Sequence, residues 1–246
     1  MLALSRGRYV ARIATSAAEI AAAQGLRHLA FHGHDGCDSD AFDALCTHVL
    51  IVEARSDRLV GCFRILPLDG GAQISRSYSA QYYNLAALEG FEGRIVEMGR
   101  FCVHPDVKDP DILRVAWGAM TAYVDANGVQ LLFGCSSFRG TDADEYLDAF
   151  TVLQQRHVAP RRWLPRVKAP QVFRFGRLMR RQPDAKLAQL RMPPLLRTYL
   201  LMGGWVSDHA VVDRQMNTLH VFTGLEIAAI PESRKRLLRG VAAGPA

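Results

Sequence analysis

The run Val96–Val103 constrains this chain more than any other: Glu97 and Arg100 stand three residues apart in an otherwise apolar stretch. A charge in such a stretch is costly unless it is paired, hydrogen-bonded or open to a ligand. In a regular strand the two side chains would face opposite sides of the sheet, because the side-chain period is two. Gly99 between them is a natural bulge site, and a bulge resets that parity. The run therefore predicts a strand that breaks its own alternation and points both charges at one place. A splayed strand also frees backbone N–H groups, here near Phe101, Cys102 and Val103, that can polarise a carbonyl. An ordinary edge-strand ion pair satisfies the same residues.

With 246 residues the chain is long enough to bury a substantial core. Its 49% apolar and 22% charged residues are those of a folded globular protein. No apolar run approaches the length that spans a bilayer, and Arg6 and Arg8 are not followed by the apolar core of a secretory signal. The five cysteines are scattered and never form a C-x-x-C pair, which fits reduced thiols in the cytoplasm rather than a zinc ribbon or a disulfide scaffold. Positive charge is concentrated: Arg156–Arg197 holds twelve Lys or Arg against the single acid Asp184. Such a segment attracts a polyanion, whether nucleic acid, anionic lipid or an acidic protein; a solvated basic face is the plainer reading.

Along the chain, Tyr9–Ile13 alternates like a strand, and Ser16 with Glu19 forms a capping box that opens an alanine-rich helix running to about Phe31. His48–Ala54 and Leu59–Leu66 read as a hairpin. Gly70–Gly93 is a long connection with tyrosines and a local helical patch, Arg94–Val103 is the strand already described, and Asp111–Ala126 is a helix stopped by Gly128. Val129–Cys135 reads as a buried strand and Asp144–Gln154 as a helix, while Thr198–Val212 and Leu219–Ile230 are strand-like. The order predicts one α/β domain around a mixed sheet, with its core over residues 9–230 and a short tail at 231–246.

Other constellations are weaker. His32, His34, Asp35, Cys37 and Asp38 offer ligand atoms without the spacing of a metal site, and they read as a polar loop. His104 and Asp109 match an H-x-x-x-x-D pattern that arises easily by chance, and Ser136–Ser137 lacks the glycines of a nucleophile elbow.

Several segments in order resemble the acyl-carrier-protein-dependent branch of the GNAT acyltransferases. Shared with acyl-homoserine-lactone synthases and ornithine lipid N-acyltransferases are Leu26-Arg27 with Phe31, Asp40-Ala-Phe-Asp43, Gly61-Cys-Phe-Arg64-Ile-Leu-Pro67 and Glu97-Met-Gly-Arg100-Phe. Cys46-Thr-His48, Tyr78-Ser-Ala, Leu132-Phe-Gly-Cys-Ser-Ser-Phe138, Pro193–Leu200 and Ser207–Thr218 favour the ornithine lipid family. Ser207 and His209 depart from its glycines, Met216 from an aromatic residue and Phe101 from a common serine.

The resemblance implies a single GNAT-like domain with a centrally splayed mixed sheet. It also implies transfer of a fatty acyl group, 3-hydroxylated in this family, from acyl carrier protein to the α-amino group of an amino acid. Ornithine is the leading acceptor and the product a lyso-aminolipid. Glutamine as acceptor, an acyl-homoserine-lactone synthase, and a non-catalytic basic module binding RNA are the alternatives; no glycine-aromatic RNA motif is present, so nucleic acid is not an expected partner.

In that chemistry Glu97 serves as base or orienting acceptor for the amine, with Arg100 beside it. Arg27, Arg64 or Arg100 takes the acceptor's carboxylate, and Asp40 and Asp43 its cationic end. The N–H groups near Phe101–Val103 face the thioester oxygen. Ser137, Asp213 and Asn217 match the family without a derivable role, and Arg161, Arg162 and Arg166 would dock the carrier protein or an anionic membrane surface. No metal and no cofactor is expected beyond the carrier's phosphopantetheine arm. The expected location is the cytoplasm, peripheral at the inner face of its membrane.

Overall fold

The fold, a computed structural model, describes residues 3–176 and 182–242. In chain order its elements are β1 (Ala3–Arg6), β2 (Tyr9–Ile13), α1 (Ala17–His32), β3 (Thr47–Glu53), β4 (Leu59–Leu68), β5 (Tyr83–Asn84), β6 (Arg94–Val103), α2 (Pro110–Asn127) and β7 (Val129–Arg139). There follow α3 (Leu147–Arg156), β8 (Arg166–Val167), β9 (Val172–Phe173), α4 (Ala185–Arg191), α5 (Pro194–Leu201), β10 (Trp205–Val206), β11 (Ala210–Asp213), β12 (Thr218–Glu226) and α6 (Glu232–Ala242). The chain forms two compact units, the first from residues 1–67, 98–129 and 231–246, the second from 68–97 and 130–230.

The first unit carries the strand order β1-β2-β3-β4-β6, antiparallel from β1 to β4. Helix α1 starts where the sequence says it must. Ser16 is extended, its hydroxyl accepts the Glu19 N–H, and the Glu19 carboxylate accepts the Ser16 N–H in return. Gly33, at φ 81°, stops it in the left-handed conformation that glycine adopts without a Cβ clash. Ala23 and Leu26 of α1 pack on Leu50, Val52, Cys62 and Cys102 of the sheet. Asp109 caps α2 by accepting the Asp111 N–H at 2.9 Å, so it is a helix cap rather than half of an H-x-x-x-x-D pair.

The second unit carries the order β6-β7-β12-β11-β9, with β10 also on β12 and a separate β5–β8 ribbon. Strand β12 pairs antiparallel with β7, β10 and β11, and β11 with β9; β7 against β12 runs from Thr218 opposite Arg139 to Glu226 opposite Leu131. Strands β6 and β7 are neighbours joined through α2, the helical crossover that parallel neighbours require, and the sheet is mixed. Its core gathers Phe138, Phe150, Phe175, Leu196, Val206 and Val221.

Two expectations change. Thr198–Val212 is not strand throughout: Pro194 starts α5, for which proline's fixed φ is suited, and only short β10 and β11 follow. The described part of the expected tail is not plain, since α6, Glu232–Ala242, lies against α2 with Arg239 paired to Asp125 at 3.0 Å. The 70–93 connection is built of 3₁₀ turns and β5. It closes so tightly that a Cβ on Gly71 would lie 2.0 Å from the Leu88 carbonyl oxygen, which only glycine avoids.

Candidate active site

In the first unit, three arginines and three aspartates form one buried cluster. Arg27 comes from α1, Asp38, Asp40 and Asp43 from the loop after it, Arg64 from β4 and Arg100 from β6. Arg27 holds Asp43 in a fork at 2.8 and 2.9 Å and reaches Asp38 at 2.7 Å. Arg64 forks onto Asp40 at 2.6 and 2.8 Å and touches Asp43 at 2.7 Å. Arg100 pairs with Asp38 and Asp40, each at 3.1 Å. Gln24 donates to Asp43, and the Asp43 carbonyl meets the His48 ring.

The charges cancel, and such planar two-point pairs are the strong form of the interaction. Burial alone would raise the carboxyl of Asp43, but hydrogen bonds from Arg27, Gln24 and Arg64 outweigh it and hold that carboxyl well below the usual range. Asp40 is lowered in the same way, with Arg64 and Arg100 overcoming its burial. For Arg64 burial pulls down and the Asp40 and Asp43 bonds win, keeping the guanidinium charged.

Exposure sorts the members. Arg27 and Arg64 side chains are 1% and 3% exposed, whereas Arg100 and Asp40 reach 13% and 23%. A ligand can therefore address the Asp40–Arg100 edge; Arg27 and Arg64 are committed to the aspartates. Arg100 also carries the break in β6, at φ 53°. A left-handed backbone is costly for an arginine, so the expected irregularity sits at Arg100 rather than at Gly99. A Cβ on Gly99 would meet only the Arg64 side chain, its Nε at an ordinary 3.6 Å and its Cγ at 3.8 Å. Further along β6, Phe101 lies 6.4 Å from the Phe63 ring and the buried Cys102 thiol is 3.5 Å from that of Cys62.

Glu97, placed by β6 in the second unit, has different company. Its Oε2 accepts the Tyr78 N–H at 2.7 Å, and Oε1 accepts both the N–H and the hydroxyl of Ser79, at 2.8 and 2.5 Å. The carboxylate is 4% exposed and fastens the 3₁₀ turn at Ser79 to the sheet. Beside it, Ser79 Oγ is 3.4 Å from Cys135 Sγ on β7. Tyr83 donates to the His220 carbonyl at 2.8 Å and meets its Nδ1 at 3.1 Å. Thus Arg100 joins Arg27, Asp40, Asp43 and Arg64, while Glu97 joins Tyr78 and Ser79. The sequence reading missed Asp38, Ser79 and Cys135, although each stood inside a quoted segment.

Asp213 and Asn217 acquire a role that sequence did not supply. Asp213 ends β11 and its carboxylate accepts the Met216 N–H at 3.0 Å; Asn217 is left-handed at φ 49°, and its carbonyl accepts the Gly140 N–H at 2.8 Å. They build the turn into β12, for which these residue types are suited. Ser137 is exposed on β7, opposite His220. In the basic segment Arg161, Arg162 and Arg166 are exposed; Arg162 lies 3.3 Å from Glu226 and 5.2 Å from the Trp163 ring. Arg177, Arg180 and Arg181 lie outside the described residues. Among the described residues no group of three or more His, Cys, Asp or Glu is placed to hold a metal ion, and no helix is long and apolar enough to cross a membrane.

The family model of an acetyltransferase (GNAT) domain matches residues 24–118, the span that holds the arginine–aspartate cluster and Glu97. The L-ornithine N(alpha)-acyltransferase of Rhodobacter capsulatus is 33% identical over 92% of this chain and 93% of its own length. That of Rhizobium meliloti is 31% identical over 89% and 80%. Among solved structures, FeeM, an N-acyl amino acid synthase from uncultured soil microbes, aligns over 96% of this chain and 97% of its own at TM-score 0.52 and 14% identity, a likeness of fold. Identity at this level, sustained over nine-tenths of both sequences, is a match of the whole protein rather than of a motif. The chain is an acyltransferase of the L-ornithine N(alpha)-acyltransferase family.

Proposed function

We propose that this enzyme transfers a 3-hydroxylated fatty acyl group from the phosphopantetheine thioester of acyl carrier protein to the α-amino group of ornithine, giving lyso-ornithine lipid. The observation that carries the reading is the 33% identity with the Rhodobacter capsulatus enzyme over nearly the full length of both proteins. Ornithine brings a carboxylate, a nucleophilic amine and a cationic side chain. Arg100 and Asp40, the exposed edge of the cluster, suit the carboxylate and the cation; Arg27, Arg64 and Asp43 hold that edge in place. An ammonium is no nucleophile, so the α-amine must lose a proton, which Glu97 takes directly or through a water. Backbone N–H groups near Phe101–Val103 steady the thioester oxygen as it gains charge. No metal or bound organic cofactor enters the scheme.

The test is to supply the purified enzyme with 3-hydroxyacyl carrier protein and either ornithine or glutamine, and to identify the product by mass spectrometry. Lipid extracts of a host that lacks aminolipids, expressing the chain, provide the cellular counterpart. N-acyl-ornithine is expected. Preferential acylation of glutamine would move the acceptor, and failure to acylate any amino acid would overturn the reading.

An acidic carrier protein and an anionic membrane surface both suit the basic segment, beside which Leu190 and Leu201 stand 76% and 59% exposed. Complementary charge mainly raises the encounter rate, and salt screens it. Reversing Arg161 and Arg166 to Glu is expected to raise KM for the carrier several-fold and to flatten its salt dependence, with the ornithine KM unchanged. Arg162 is left alone because of its contact with Glu226. Steady-state kinetics across ionic strength check this; carrier kinetics indifferent to both salt and the reversals would detach the carrier from this segment.

A further inference from the structure

Helices α4 and α5, both in the second unit, turn one side to its core and leave the other uncovered. Ala188 of α4 is buried, as are Leu196 and Tyr199 of α5, with Leu196 packed among Phe138, Phe150 and Phe175. The helical period then fixes what faces away. On α4, Lys186 and Leu190 are four residues apart and straddle the side opposite Ala188. On α5, Arg197 and Leu201 have the same spacing and point away from Leu196 and Tyr199. Exposure agrees with the period: Lys186, Leu190 and Leu201 are exposed and Arg197 is half-buried. The Arg197 guanidinium donates to the Gln189 carbonyl at 3.3 Å, which brings it beside Leu190 and joins the two faces. The result is one strip that runs cation, leucine, cation, leucine.

The chemistry of the strip selects its partner. Residues 185–201 hold Lys186, Arg191 and Arg197 and no acid. The Asp184 carboxylate just before them is committed to α4 as its cap, accepting the Lys186 and Leu187 N–H groups at 2.9 and 3.0 Å. Leu190 is the most exposed large apolar side chain among the described residues, and Leu201 is exposed with it. An acidic surface alone would answer the cations and leave both leucines in water. A lipid interface answers both. Leucine enters the edge of the hydrocarbon, while Lys and Arg lay their apolar stems along it and keep their charged heads among the lipid phosphates.

We propose that the α4–α5 face docks on an anionic bilayer surface, with Leu190 and Leu201 as apolar anchors and Lys186 and Arg197 as phosphate contacts. The inference deepens the proposed reaction and rests on it for its purpose, since an amino acid that has gained a fatty chain must leave for a lipid phase. Position supports the link. The helix that carries Arg197 and Leu201 outward carries Tyr199 inward, where burial and the charge of Glu97 together push its hydroxyl up. The docking face and the base proposed for the amine thus lie on opposite sides of a single helix. Arg161 and Arg166 stand outside this strip and remain with the carrier protein.

The experiment floats full-length enzyme through a density gradient with vesicles of phosphatidylcholine, alone or mixed with phosphatidylglycerol, at low and at raised salt. Wild type is expected to rise with the anionic vesicles, less with the neutral ones, and less as salt rises. Leu190→Ser combined with Leu201→Ser should cut partitioning by a factor on the order of 10², because each leucine gives up its burial in lipid. The melting temperature should hold, since both side chains meet water in the free protein. Lys186→Glu, made singly, should weaken binding to the anionic vesicles alone, a second reading that does not depend on how the double variant folds. Wild type that stays behind when anionic vesicles rise overturns the proposal, as does a double variant that floats like wild type. Light scattering and carrier kinetics can also overturn it. A wild-type dimer split by the leucine substitutions gives the face to a second copy, and a raised carrier KM in the double variant gives it to the carrier protein. The reaction is judged apart, in vesicle-free solution. Enzyme that floats but acylates no amino acid loses the proposed function and keeps the surface; enzyme that acylates ornithine but never floats loses the surface alone.

Discussion

Asp43→Ala is expected to unfold this protein at a markedly lower temperature than any other single change in the arginine–aspartate cluster. Asp43 is the member shared by Arg27 and Arg64, both nearly inaccessible to water, and it also takes Gln24. Removing one partner of a buried pair leaves charge without compensation and costs about 3–5 kcal/mol. For a chain of this size each kcal/mol moves the midpoint by about 2–4 °C, so calorimetry should record a fall of roughly 6–20 °C. Asp43→Asn, which keeps the shape and an accepting oxygen, should lose less. The pH dependence follows the same residue. Folding lowers the Asp43 and Asp40 carboxyls, so the unfolded chain binds protons more readily than the native one. Their contribution is complete above the ordinary aspartate value of about 3.9 and drains away as the pH falls below it. Wild type should lose stability steeply on that acid limb and Asp43→Ala less steeply. Equal acid limbs would remove Asp43 from the account.

Glu97→Gln is expected to cost the most in turnover. Loss of a general base removes on the order of 10²–10⁴ in rate, and the geometry adds a second penalty. Both carboxylate oxygens face N–H donors of Tyr78 and Ser79, so an amide places its own NH₂ against one of them. The variant should therefore melt earlier as well as turn over slowly. Glu97→Asp separates the effects: it retains a base but withdraws it from Tyr78 and Ser79, so it should recover part of the rate without recovering the melting temperature. Near-wild-type turnover of Glu97→Gln at neutral pH would strike Glu97 from the chemistry.

What sequence revealed about this fold depended on whether the determining contacts were local. Ser16 and Glu19 are three residues apart and close a box on themselves, so α1 was legible to within a residue. The 70–93 connection was not, because its 3₁₀ turn at Ser79 is held by a carboxylate eighteen residues further on. The strand-like reading of 198–212 failed because the apolar run Leu195-Leu196 and Tyr199–Leu201 suits either period, and Pro194 decided for a helix. In the site, residue types were readable and partners were not. Arg27, Asp40, Asp43, Arg64 and Arg100 were all named, but that Arg27 binds the loop aspartates, leaving only Arg100 and Asp40 at the edge, depends on how α1, β4 and β6 meet. The same dependence hid Ser79 and Cys135, which lie fifty-six residues apart.

The discontinuity of the first unit has a consequence for biosynthesis. It takes in residues 1–67 and 98–129 but is completed only by 231–246, where α6 brings Arg239 to Asp125 of α2. Chains emerge from the ribosome N-terminus first, and domains ordinarily fold in that order. Here the residues of the first unit that precede Gln130 wait for α6, which follows the whole of the second unit. The second unit, whose residues all lie before Pro231, has its full complement of chain sooner. A nascent chain stalled just short of α6 should therefore protect the amides of β7 and β12 from hydrogen exchange while those of α2 still exchange.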